Sequence, residues 1–147
     1  METPGVTHYG QTSVLVADIY SYSKLMNRNE AETSMRVSHA ISLIRQLTTD
    51  YGGSIKNIAG DGVLALFDNV SNSIDFAIAM QKEFANDVVW HSGSDPIAFR
   101  IGINVGEVRE GHFGLHGHAI NVAARLQTLA QPGGICLSKA VSEVARN

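Results

Sequence analysis

Four residues stand out for the chemistry their types and spacing allow: Asp18, Asp61, Asn121 and Arg125. Asp18 comes near the end of an apolar run, TSVLVADI at residues 12–19, and Asp61 is the centre of a Gly-Asp-Gly turn inside SIKNIAGDGVLALF at residues 54–67. Two carboxylates brought together repel, and the repulsion is relieved by a divalent cation or a raised pKa. Mg²⁺ takes oxygen ligands and keeps waters and phosphates in its shell, so two aspartates and one main-chain carbonyl are a sufficient protein contribution. A plainer reading stays open beside it. Asp18 would cap a turn, and Asp61 would serve in a type I′ hairpin turn, where Asp-Gly is favoured for its positive φ.

Asn121 and Arg125 lie four apart in INVAARLQTLA, hence on one helical face, beside an apolar stripe of Val122, Ala123, Leu126 and Leu129. An amide next to a guanidinium suits a sugar oxygen and a phosphate, although a solvated helix face would look the same. The histidines of GHFGLHGH, His112, His116 and His118, are dense enough for zinc, but no cysteine lies near and a solvated loop is the simpler reading. Arg100 in FRIGI reads as support for a sheet rather than a substrate contact. Met35 and Met80 sit in helical patterns and read as core or core-edge residues.

The elements that must position these groups alternate between strand and helix. TSVLVADI is a β-branched, apolar run that suits a strand buried on both faces. From about Glu30 to Asp50, Val37, Ala40, Ile41, Ile44 and Leu47 recur at helical spacing, and YGG supplies the stop. A hairpin of SIKNIA and VLALF follows. A second helix runs from Asn72 to Val88, its face marked by Ile74, Ala77, Ile78, Gln81, Ala85 and Val88. IAFRIGINVGEV is a strong strand broken near Gly106 or Gly111, Ala119 to Ala130 is a third helix, and GICLS is a last strand. The order β, α, β, β, α, β, with an extra β-α-β following, predicts an α+β fold. It is that of a ferredoxin-like α/β sandwich with helices on one face of a mainly antiparallel sheet.

Composition narrows the function classes. A chain of 147 residues builds one core and is short for two ordinary domains. The net charge of -3 comes without any run of Lys or Arg, which argues against a nucleic-acid partner or an anionic membrane surface. The single Cys136 cannot form an internal disulfide, METPGVTHYG lacks the apolar core of a signal peptide, and no apolar run reaches the length of a membrane helix. A cytoplasmic location is expected.

Together the stretches ADIYSYSKLM, YGGSIKNIAGDGVLALF, FRIGINVGEV and HGHAINVAARLQTLAQPGGICLS resemble the class III nucleotidyl cyclases, the adenylate and guanylate cyclase family, over nearly the whole chain. The resemblance implies that Asp18, Asp61 and the main chain of Ile19 hold two ions of Mg²⁺ or Mn²⁺. It further implies that Asn121 orients the ribose and Arg125 stabilises the transition state. The loop of Tyr20, Ser21, Tyr22 and Ser23 would turn its backbone N–H groups to the triphosphate. On this basis the chain is expected to convert ATP, with GTP as the alternative, to a cyclic nucleotide and pyrophosphate, as a homodimer with shared sites.

Three departures accompany the likeness. The family's purine-reading lysine and aspartate fall on Asn57 and Gly114, which predicts weak base discrimination. Lys56 is one residue away and, by strand alternation, is expected to point away from Asn57. Ser21 replaces a glycine of the phosphate loop. Residues 1–147 are expected to form one catalytic domain ending at SEVARN, without the family's further strands and their triphosphate-binding lysine. These departures motivate a rival reading, a catalytically silent cyclase-homology module that binds nucleotide or only dimerises. A palm-like nucleotidyl transferase is a more distant rival, and no basic template surface accompanies it.

Overall fold

The structure is a computed structural model that describes residues 5–86 and 96–146. In chain order its elements are β1 (Thr7–Ile19), α1 (Tyr22–Arg28), α2 (Glu30–Asp50), β2 (Gly53–Ala59), β3 (Gly62–Phe67) and α3 (Val70–Asn86). Then come β4 (Phe99–Gly111), β5 (Gly114–His116), α4 (His118–Leu129), β6 (Ile135–Leu137) and α5 (Lys139–Arg146). The strands form one sheet in the order β2-β3-β1-β4-β5, and β6 joins the β4 edge. Every pairing is antiparallel except β4 with β6.

Alternation along β1 sorts its side chains to two faces. Leu15, Ala17 and Ile19 join the larger core with Val37, Ala40 and Ile44 of α2 and Phe76, Ala77, Met80 and Phe84 of α3. Val14 and Val16 turn to the other face, where they meet Leu66, Val108 and the α4 residues Ala119 and Ala123. Helices therefore cover both faces of the sheet, and the expectation of helices on one face is corrected by α4. The reason lies in two glycines of β4. A Cβ on Gly102 would overlap the backbone of Ala123 and Gln127, and one on Gly106 would stand 2.7 Å from the Ala119 Cβ. Without side chains at these positions the helix lies directly on the strand.

β1 begins at Thr7, earlier than the apolar run alone predicts, and the long strand continues through Gly106 to end at Gly111. α2 matches its expected span. Asn29 starts it by accepting from the Glu32 N–H at 3.0 Å and donating to the Glu32 carboxylate at 3.2 Å. Gly52, at φ +74°, follows its end. The apolar face of α3 is rotated from the expected one. Val70, Phe76, Met80 and Phe84 are buried, whereas Ile78 is 41% exposed and Ala85 lies in solvent; Val88 falls outside the described residues. Burying side chains as large as Phe76 and Met80 is worth roughly 1.5–3 kcal/mol each, which outweighs the alternative orientation led by Ile78. Met80 is fully buried, but Met35 is 59% exposed, so only one of the two methionines expected at the core or its edge is there.

Candidate active site

One end of the sheet gathers the two aspartates. In register, Asp18 stands between Gly62 of β3 and Arg100 of β4, so the Gly-Asp-Gly turn closes beside the end of β1. The Ile19 N–H donates to the Asp61 carbonyl at 3.0 Å, which ties the turn to the strand. Within the turn the positive φ belongs to Gly60, at +55°, and not to Asp61, so the type I′ explanation for an aspartate there does not hold. Asp61 is half-buried at the tip.

The Asp18 carboxylate is only 24% exposed, and its neighbours pull in different directions. Burial is the largest influence and raises its pKa above 3.8; the Arg100 guanidinium lowers it, and the charge of Asp61 raises it. The Arg100 Nε lies 3.5 Å from Asp18 Oδ1, an ion-pair contact longer than a good hydrogen bond, and that Nε has no hydrogen-bond partner among the described residues. The rest of the guanidinium is held elsewhere. Its Nη1 donates to the Thr128 carbonyl at 3.2 Å, and its centre lies 5.5 Å from the Tyr20 ring centroid. Arg100 thus belongs to the site's electrostatics, beyond the sheet-supporting role expected of it.

A residue the sequence reading passed over makes the shortest contact. Gln127 Nε2 donates to Asp18 Oδ1 at 2.6 Å, and Gln127 is only 5% exposed. The inward face of α4 is Ala119, Ala123 and Gln127, spaced by four. The expected stripe is thereby corrected: Leu129 is 72% exposed, and Val122 and Leu126 are half-buried. The signal available was a polar residue continuing an alanine series at helical spacing. Asn121 and Arg125 are both exposed on α4. Two residues along a helix amount to about 200° of rotation, so Arg125 points away from the side on which Gln127 meets Asp18.

The segment after β1 is less of a loop than expected. Tyr20 is 47% exposed and spends its N–H on the Ala98 carbonyl at 2.8 Å. Ser21 adopts φ +57°, the one left-handed residue other than glycine among those described, at the position where the resemblance calls for glycine. Tyr22 and Ser23 already belong to α1.

Asn57 is exposed on β2, and Gly114 opens β5 at φ +95°. The register of β2 slips between Ile55 and Asn57, and Ile55 and Ile58 both pack on the larger core, so strict alternation breaks at this bulge. The expectation that Lys56 and Asn57 face opposite sides fails for that reason. Asn57 pairs with Leu64, which packs in the α4-side cluster, and Lys56 reaches Tyr9 of the same cluster. Lys56 Nζ donates to the Tyr9 hydroxyl at 3.0 Å, and that hydroxyl donates to Glu110 Oε1 at 2.6 Å. The Tyr9 bond also raises the Lys56 pKa above its ordinary 10.5. His112, His116 and His118 are exposed, and no group of three or more metal-ligating side chains occurs among the described residues. No helix among them is long and apolar enough to cross a membrane.

Relatives place this geometry in a family. The chain is 32% identical over 132 residues to a Rhizobium meliloti protein that carries a provisional adenylate cyclase name, covering 89% of this chain and 22% of that protein. The chain therefore spans about a fifth of that relative's length. Among solved structures, an adenylate/guanylate cyclase/hydrolase from Silicibacter pomeroyi superposes with a TM-score of 0.81 at 31% identity, covering 96% of this chain and 82% of that one. The adenylyl cyclase CyaB from P. aeruginosa superposes at 0.85 with 22% identity, over 96% and 82% of the two chains, which speaks to the fold. With residues 5–147 matching the profile described as "Adenylate and Guanylate cyclase catalytic domain", the chain belongs to that family.

Proposed function

We propose that this chain cyclises ATP to 3′,5′-cyclic AMP and pyrophosphate at a site assembled from two copies of itself. The observation that carries the shared site is the division of labour on α4. Gln127 is committed to Asp18 of its own chain, while Arg125 points the other way and Asn121 lies six residues, or about 9 Å, toward the helix start. A second copy related by a two-fold axis would bring its Asn121 and Arg125 to these aspartates, and the exchange would be reciprocal.

The residues fit a hydrated divalent cation. The charge of Asp61 reaches Asp18, and two carboxylates with a main-chain carbonyl from Ile19 are hard oxygen donors of the kind Mg²⁺ or Mn²⁺ takes when phosphates and waters complete its shell. The chemistry supplied by two bound ions is a lowered pKa for the attacking hydroxyl and charge neutralisation on the leaving group. The remaining work is positioning. Asn121 holds the ribose through its amide, so that the 3′-hydroxyl, giving its proton to solvent, forms its oxygen's bond to the α-phosphorus as the bond to pyrophosphate breaks. Arg125 donates to the charge that builds on the phosphoryl oxygens. Tyr22 and Ser23 offer first-turn N–H groups of α1 to the triphosphate, and the Tyr20 N–H, already bonded, does not contribute.

The competing reading, a silent module of the same fold that binds nucleotide or only dimerises, predicts no cyclic product. Incubating the purified chain with ATP or GTP and Mn²⁺, then separating cyclic from linear nucleotides, decides between them. Cyclic AMP formation supports the enzyme, and linear nucleotide alone at saturating Mn²⁺ supports the silent module.

A further inference from the structure

The contact between Gln127 and Asp18 is short, and its donor side is buried. At 2.6 Å it lies at the short limit of N–H···O bonds, and its acceptor is the carboxylate that the proposed function assigns to the cation. The amide has little freedom to leave, since Gln127 is 5% exposed and its own backbone rests on the space left by Gly102. A carboxylate offers two oxygens and about four lone-pair sites, so groups gathered on Oδ1 leave Oδ2 to face a cation.

Two groups from the same chain approach Oδ1, and they differ in charge. Arg100 carries a positive charge that opposes a cation, but it is anchored to the Thr128 carbonyl and the Tyr20 ring and touches Asp18 only at 3.5 Å. Gln127 is neutral. It can fix the direction of the carboxylate without competing electrostatically for the same position, as outer-shell partners of metal ligands do.

We propose that Gln127 is a positioning residue: its side-chain amide holds Asp18 in the orientation that receives the divalent cation. This rests on the reading of Asp18 as a cation ligand. Gln127→Met keeps the length and volume of the side chain and removes the donor, and Gln127→Leu is a second donor-free variant with a different shape.

The test is Mn²⁺ titrated into the full chain, with free Mn²⁺ read by electron paramagnetic resonance and thermal unfolding followed in parallel in EDTA. The expected result is an Mn²⁺ dissociation constant raised about 10-fold or more in both variants, while each still unfolds cooperatively. Turnover should recover as Mn²⁺ is raised, moving the apparent activation constant far more than kcat. A dissociation constant within about twofold of wild type in a folded variant overturns the proposal and leaves Gln127 as packing between α4 and the sheet. Asp18→Asn separates the two levels. If wild type binds Mn²⁺ and Asp18→Asn binds it equally well, the cation reading of Asp18 has failed, and this proposal with it.

Discussion

Asp18 keeps a carboxylate where burial resists its charge. Because burial raises its folded pKa above 3.8, the folded state holds this proton more tightly than the unfolded chain does. The stability linked to that proton is present at low pH and lost as pH rises through the raised value. In EDTA at pH 7, Asp18→Asn should therefore be at least as stable as wild type by thermal unfolding. Its Mn²⁺-dependent turnover should fall at least about 100-fold, beyond the cost of losing an outer-shell partner. A midpoint several degrees below wild type would contradict the assignment of burial as the dominant influence.

The base-reading positions give a second residue-scale prediction. Neither Asn57 nor Gly114 is charged, so no charged reader would be left unpaired by the wrong purine, and the kcat/KM ratio for ATP over GTP should lie within about tenfold. Asn57→Lys with Gly114→Asp should raise it. The φ of +95° at Gly114 adds a strain of roughly 1 kcal/mol that a glycine avoids, so the double variant should also be less stable. An unchanged ratio would show that the base is read elsewhere. That Asp18 and Asp61 lie together was legible because each terminates or turns a strand. Lys56 was misread because a bulge leaves no signature in alternation until the partner strand is known.

At the scale of elements, the site depends on how closely α4 lies on β4. Gly102 has no room for a Cβ, since the obstruction is the backbone of Ala123 and Gln127 rather than a side chain that could turn aside. Gly102→Ala should cost about 1–3 kcal/mol by chemical denaturation and weaken Mn²⁺ binding as Gln127 is lifted from Asp18. Unchanged stability would mean that the helix can shift freely. The spans of α2, the β2–β3 hairpin and α4 were readable from periodicity and from Tyr-Gly-Gly, Gly-Asp-Gly and Pro-Gly-Gly punctuation. The rotation of α3 and the inward face of α4 were not. Each depends on which side chains the sheet can bury, and Gly106, one of the two glycines that admit α4, reads in isolation as a strand break.

At the scale of the whole molecule, one chain carries both halves of the proposed site on elements that face different ways. Asp61→Ala and Arg125→Ala should each be nearly inactive alone, because every site in either homodimer contains a lesion. A mixed dimer gathers both lesions into one site and leaves the other intact. Random exchange forms mixed dimers about half the time, each with one good site of two, so recovery should approach about a quarter of wild-type activity. The decisive measurement is cyclic nucleotide production by the two variants mixed after subunit exchange has been demonstrated. The account predicts recovery toward a quarter of wild type, and a fully exchanged mixture as inactive as its components would contradict it.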